Sequence, residues 1–128
     1  MTVAVICVLI GAMLPYIWTG IAKLGGTSER KYDNRQPREW CEDLSHWKKR
    51  SFWAHQNSLE AFAPFAASVL FAQFGGKVNQ TIIDQFCMGW VFFRVLYGGF
   101  YIFNLPTLRS LSWLGAVICF VTLFLKSI

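Results

Sequence analysis

The stretch Ala54 to Phe74, AHQNSLEAFAPFAASVLFAQF, decides the fold. Its first two turns are polar and the rest is apolar. A run of this length suits a helix crossing a bilayer core of ~30 Å. Within it, Asn57, Glu60 and Pro64 continue from Trp53 at i, i+4, i+7 and i+11, so the four residues share one helical stripe. Ionisable groups inside membrane segments are costly and usually mark a site. Pro64 cannot donate to the Glu60 carbonyl, which predicts a kink there.

Three further apolar stretches flank this one. Val3 to Ala22 is nearly uncharged. Ile82 to Phe103 is apolar apart from Asp84, Gln85 and Arg94. Pro106 to Leu125 is apolar apart from Arg109. The runs are continuous and do not alternate, which argues for helices over strands. The expected fold is an all-α integral membrane protein with four transmembrane helices in an up-and-down bundle. The helices are placed at about 3–22, 54–74, 82–103 and 106–125 of a single domain spanning 1–128, with a loop at 23–53. The first stretch lacks a basic start and a small-residue cleavage site, so it reads as a membrane span and not a signal peptide.

Composition agrees with this class. The chain has 128 residues, 55% of them hydrophobic, 17% aromatic and 15% charged. A soluble domain carries roughly 25% charged residues. Much of the apolar surface is therefore expected to face lipid or sister subunits. The net charge of +5 sits largely in the first loop, in Lys23, Arg30, Lys31, Arg35, Arg38, Lys48, Lys49 and Arg50. The turn from Gly75 to Thr81 carries only Lys77 and the tail only Lys126. The positive-inside bias places loop 23–53 and the turn from Asn104 to Ser110 on the cytoplasmic side. This distribution accounts for the basic charge without a nucleic-acid partner. Cys7, Cys87 and Cys119 read as packing in the spans, and no Cys/His spacing suggests a metal or a disulfide.

On the third helix, Arg94, Tyr97 and Tyr101 fall at i, i+3 and i+7 and form a second stripe, at the same end as Asn57 and Glu60. Gly98 and Gly99 permit close helix approach there. A buried Glu60 needs a cation or a proton, and Arg94 stands at comparable depth. Lys23 and Arg109 enter at the same face. Two readings fit these residues. One is a cationic cluster for a small anionic ligand bearing carboxylates. The other is a Glu60–Arg94 pair that fixes helix packing alone. His55, beside the motif, reads as a capping or packing residue. The tryptophans read as interfacial anchors. YDNRQPREW, from Tyr32 to Trp40, reads as a structured cap.

RSFWAHQNSLEAF (Arg50 to Phe62) followed by RVLYGGFY (Arg94 to Tyr101) resembles the MAPEG family, the membrane-associated proteins in eicosanoid and glutathione metabolism. YDNRQPRE resembles the loop of a bacterial branch of that family. The resemblance implies a homotrimer of four-helix bundles in a membrane, here the bacterial inner membrane with the 23–53 loop cytoplasmic. It implies glutathione as co-substrate, bound between subunits near the cytoplasmic face, and a lipophilic small molecule as acceptor. By motif, Asn57 and Glu60 would hold the glutathione backbone. Arg94, Tyr97 and Tyr101 would bind its carboxylates and peptide groups, and Arg50 matches a basic position at the start of the second long helix. Arg109 matches an arginine that favours the thiolate, and Ser110 a serine proposed to take part in one of the synthases. The pattern departs at Trp53, where several family enzymes have an arginine. The implied function is a glutathione-dependent transferase or peroxidase acting on lipophilic electrophiles. The alternative is a non-catalytic lipid-binding or scaffold protein of the same fold.

Overall fold

A computed structural model describes residues 2–24 and 32–128; Arg30 and Lys31 of the basic loop lie outside them. Its elements are α1 (Val3–Lys23), α2 (Pro37–Glu42), α3 (His46–Gly75), α4 (Gln80–Ile102) and α5 (Pro106–Ser127). The sequence sets most of their ends. The Thr2 and Asn79 side chains accept from backbone N–H groups in the first turns of α1 and α4. Pro37 and Pro106 stand at the first turns of α2 and α5, where a missing N–H costs nothing. Gly76 closes α3 at φ 66°, a left-handed conformation that glycine adopts freely.

The four long helices run alternately up and down. α3 and α4 each pack on both α1 and α5. The axial core joins Phe65 of α3 to Trp90 of α4, whose rings stack with centroids 3.8 Å apart and planes 4° apart. Gly98 is required where α4 passes α1: a Cβ there would collide with the Trp18 indole. α1 and α5 are each long and apolar enough to cross a membrane. Their outer faces expose large apolar side chains, among them Leu9, Ile17, Leu111 and Leu125. Exposed apolar area of this extent suits lipid or another subunit.

Two expectations change. The second long helix starts at His46 and not Ala54, so Lys48, Lys49 and Arg50 are helical and the first loop is shorter. The 30 residues of α3 reach roughly 45 Å at 1.5 Å per residue, longer than a ~30 Å core. The loop also contains α2, which the apolar pattern did not mark because it is short. Pro64 lies inside α3, which runs on either side of it as one element.

The cap is held by specific contacts. Lys23 Nζ donates to the Tyr32 hydroxyl at 2.9 Å and lies 4.5 Å from its ring centre. The Tyr32 ring meets Trp40 edge-on at 5.0 Å. Lys49 Nζ donates to the Cys41 and Glu42 carbonyls at 3.3 and 2.6 Å, a cation at the C-terminus of α2. Beneath these contacts Ala22, Trp40, Cys41 and Leu44 form a small buried cluster.

At the opposite end, Asp84 accepts from the Ala4 N–H and from Gln80 Nε2, both at 2.9 Å. This carboxylate sits at the positive end of α1. Not every polar residue of the long helices belongs to the end that holds Glu60 and Arg94, and Asp84 joins α4 to α1.

Candidate site at the α3–α4 face

Antiparallel packing of α3 on α4 brings the two sequence stripes together. Trp53, Gln56, Asn57, Glu60, Tyr97 and Tyr101 line one open cavity of about 340 Å³. Helical spacing within each stripe puts the groups on one face; helix pairing sets them opposite each other.

Arg94 lies behind this wall, 1% exposed. Its Nη2 donates to Asn57 Oδ1 at 3.0 Å and to Ser58 Oγ at 3.3 Å. Asn57 in turn donates from Nδ2 to Glu60 Oε2 at 3.3 Å. Arg94 therefore fixes which way the carboxamide faces. With the Asn57 oxygen committed to the guanidinium, its amide protons point toward Glu60. The expected direct Glu60–Arg94 ion pair is not formed among the described residues. Glu60 is exposed on the helix surface, while Arg94 is buried. The reason is radial: Glu60 lies on the outer edge of its stripe, one turn beyond Asn57. Ser58 was missed in the sequence because a small hydroxyl next to the motif gives no periodic signal.

The aromatic rings carry cations on their faces. The Arg94 guanidinium carbon is 4.4 Å from the Tyr97 ring centre, and that of Arg109 is 4.5 Å from the Tyr101 ring centre. Tyr97 and Tyr101 meet edge to face at 5.5 Å. Arg109 thus reaches the α4 stripe from the start of α5, at the same end of the bundle. Ser110, its neighbour, is exposed.

Other cations expected here have partners elsewhere. Arg50 donates from Nε and Nη2 to the Ile102 carbonyl at 3.1 and 2.9 Å and closes the C-terminus of α4. Lys23 and Lys49 hold the cap, as described above. His55 takes the packing role: its ring stacks on Phe52 and its Nδ1 lies 2.8 Å from the Pro15 carbonyl. A carbonyl can only accept, so Nδ1 carries the proton.

Chemically, the cavity offers one carboxylate, one oriented carboxamide and two phenols. Two Arg94 donors, Nε and Nη1, are buried without a hydrogen-bond partner. The donor set fits a zwitterionic peptide: Glu60 suits an ammonium, and the phenols with the two arginines behind them suit carboxylates.

The profile of the MAPEG family matches residues 3–128, nearly the whole chain. No solved structure matches it.

Proposed function

The chain belongs to the MAPEG family, and from that premise we propose that it is a glutathione-dependent membrane transferase or peroxidase acting on lipophilic electrophiles. The observation that carries this reading is the Arg94–Asn57–Glu60 relay beside two tyrosines that each bear an arginine. Glu60 accepts from the glutathione amino group. Asn57 is held by Arg94 in the orientation that presents its amide. Tyr97 and Tyr101 donate to carboxylate and peptide oxygens. Arg50 acts indirectly by fixing the end of α4.

Arg109 supplies the chemistry. A free thiol titrates near 8.5, and a fixed cation beside it stabilises the thiolate. The thiolate then attacks an electrophilic carbon, which expels its leaving group or passes an electron pair to a conjugated acceptor. Alternatively it attacks the outer oxygen of a hydroperoxide, which breaks the O–O bond and releases the alcohol. That leaves a sulfenic acid, which a second glutathione converts to the disulfide and water. Positioning and electrostatic stabilisation are the protein's contribution. Ser110 is exposed beside Arg109, which supports a role as donor to the acceptor.

The cavity is open on one side, and Glu60 faces outward from the bundle. Both features support a homotrimer in which a neighbouring subunit supplies the missing wall. The basic loop supports a cytoplasmic placement of this end; a bacterial inner membrane is the membrane we propose. Titration calorimetry of glutathione into the purified protein, followed by turnover of a dinitrophenyl halide, tests the reading. Saturable binding with turnover is expected; no binding overturns it. Binding without turnover would favour the second reading, a non-catalytic lipid-binding protein, for which Trp53 in place of an arginine speaks.

A further inference from the structure

Two cavities meet at one side chain. The first is the polar cavity of the α3–α4 face. The second, about 440 Å³, lies between the cap and α3 and is lined by Arg38, Glu42, Lys49, Phe52, His55 and Leu59. Trp53 and Gln56 line both. Trp53 is 43% exposed, and its ring tilts on Tyr101 with centroids 6.2 Å apart. A tryptophan that merely anchors a helix at the interface needs no cavity on either side. This one stands at the rim common to two, at the end of a run of rings that continues through Tyr101 to Tyr97.

The second cavity has its own chemistry. Phe52, Leu59 and the indole give it apolar and aromatic walls. Arg38 and Lys49 bring two positive charges against the one acidic side chain, Glu42, so the lining is net cationic. Lys49 already donates to two carbonyls and has a third proton left. A flat apolar body stacks on an exposed indole with specific geometry, and an electron-rich oxygen on that body is drawn to the cations. Saturated, flexible chains gain no stacking.

We propose that Trp53 selects the acceptor: the second cavity takes a flat, conjugated carbonyl electrophile stacked on the indole, next to the thiol donor in the first. This rests on the proposed glutathione function and names its substrate class. The thiolate sulfur forms a bond to the β-carbon. The C=C π pair shifts toward the carbonyl oxygen, giving an enolate near Arg38 and Lys49. The enolate takes a proton from water, and a thioether results with no oxidant or reductant consumed. Trp53 is a specificity residue in this step and takes no proton or electron.

The test compares the wild-type protein with Trp53→Phe and Trp53→Leu, using glutathione with benzylideneacetone and, separately, tert-butyl hydroperoxide. The quantity read is the ratio of kcat/KM for the flat enone to that for the compact peroxide. Loss of the ring in Trp53→Leu should lower this ratio roughly tenfold, equivalent to about 1.4 kcal/mol. Trp53→Phe, which keeps an aromatic face, should stay within about threefold. An unchanged ratio in Trp53→Leu overturns the proposal. A second arm omits glutathione: benzylideneacetone is titrated against tryptophan emission. Saturable quenching in wild type that disappears in Trp53→Leu supports the aromatic site even if glutathione does not bind and the proposed function falls. Quenching that is the same in both proteins overturns the aromatic site while leaving glutathione binding intact.

Discussion

Arg94 Nη2 and Asn57 Oδ1, on different helices, are joined at 3.0 Å beneath the surface of the α3–α4 face. The bond ties the buried cation to the residue that presents its amide to the cavity. Stability and ligand recognition therefore separate. Arg94 belongs to the packed interior, and Glu60, at the far end of the relay, belongs to the surface.

Arg94→Ala is expected to lower thermal stability in detergent. It leaves Asn57 Oδ1 and the buried Ser58 hydroxyl without their donor, at a typical cost of about 1–3 kcal/mol. Glu60→Gln should leave stability within about 0.5 kcal/mol, because the residue is exposed. Its effect should appear in glutathione affinity, roughly tenfold weaker, since a hydrogen bond to a charged group contributes ~1.5–3 kcal/mol. Melting curves and calorimetry on both variants check this. Equal destabilisation by the two would contradict the separation.

Arg109→Ala should preserve assembly and lower turnover more than glutathione affinity. Its guanidinium sits over Tyr101, and its charge matters most for the sulfur anion. The ultraviolet absorbance of bound thiolate should fall in parallel. Arg109→Lys should restore part of both signals. If neither signal moves in Arg109→Ala, the arginine serves only as a headgroup anchor at the membrane surface.

Trp53→Arg is expected to tighten glutathione binding by roughly tenfold, by adding a charge-assisted donor to the cavity wall. Calorimetry would read it directly, and an unchanged dissociation constant would mean that the new cation does not reach the ligand.

Gly98→Ala should destabilise the bundle by about 1–3 kcal/mol, because the added methyl must displace the Trp18 indole. Trp18→Leu in the same chain should recover part of that loss. A melting temperature of Gly98→Ala equal to wild type would show that α1 and α4 can part without cost.

Cys41 gives a pH test outside the membrane spans. Burial pushes its thiol up, opposed by the charges of Lys23 and Lys49. The folded thiol thus stays protonated after the unfolded one, near 8.5, has begun to ionise. A raised folded pKa contributes stability below the unfolded value and loses it as pH climbs past it. Melting temperature should therefore fall above about pH 8.5, and less steeply in Cys41→Ala. Identical slopes for the two proteins would place the effect elsewhere.

The apolar runs and the two polar stripes were legible in the sequence, because helical periodicity alone puts Asn57 with Glu60 and Arg94 with Tyr97 and Tyr101. The helix ends are local as well: Thr2, Asn79, Pro37, Pro106 and Gly76 act through their own backbone or side-chain chemistry, within a turn of their positions. The early start of α3 at His46 was not, since its first turns are polar and leave no apolar signal. Nor was the fate of the cations. Lys23, Lys49, Arg50, Arg94 and Arg109 look alike in a charge pattern, yet the first three hold the cap and a helix end, the fourth is buried behind Asn57, and Arg109 lies on Tyr101. Which carbonyl, ring or carboxamide each one meets depends on the radial angle and depth at which neighbouring helices cross. Those quantities are set by packing across the whole bundle, such as Trp18 against Gly98 and Phe65 against Trp90, and no local stretch encodes them.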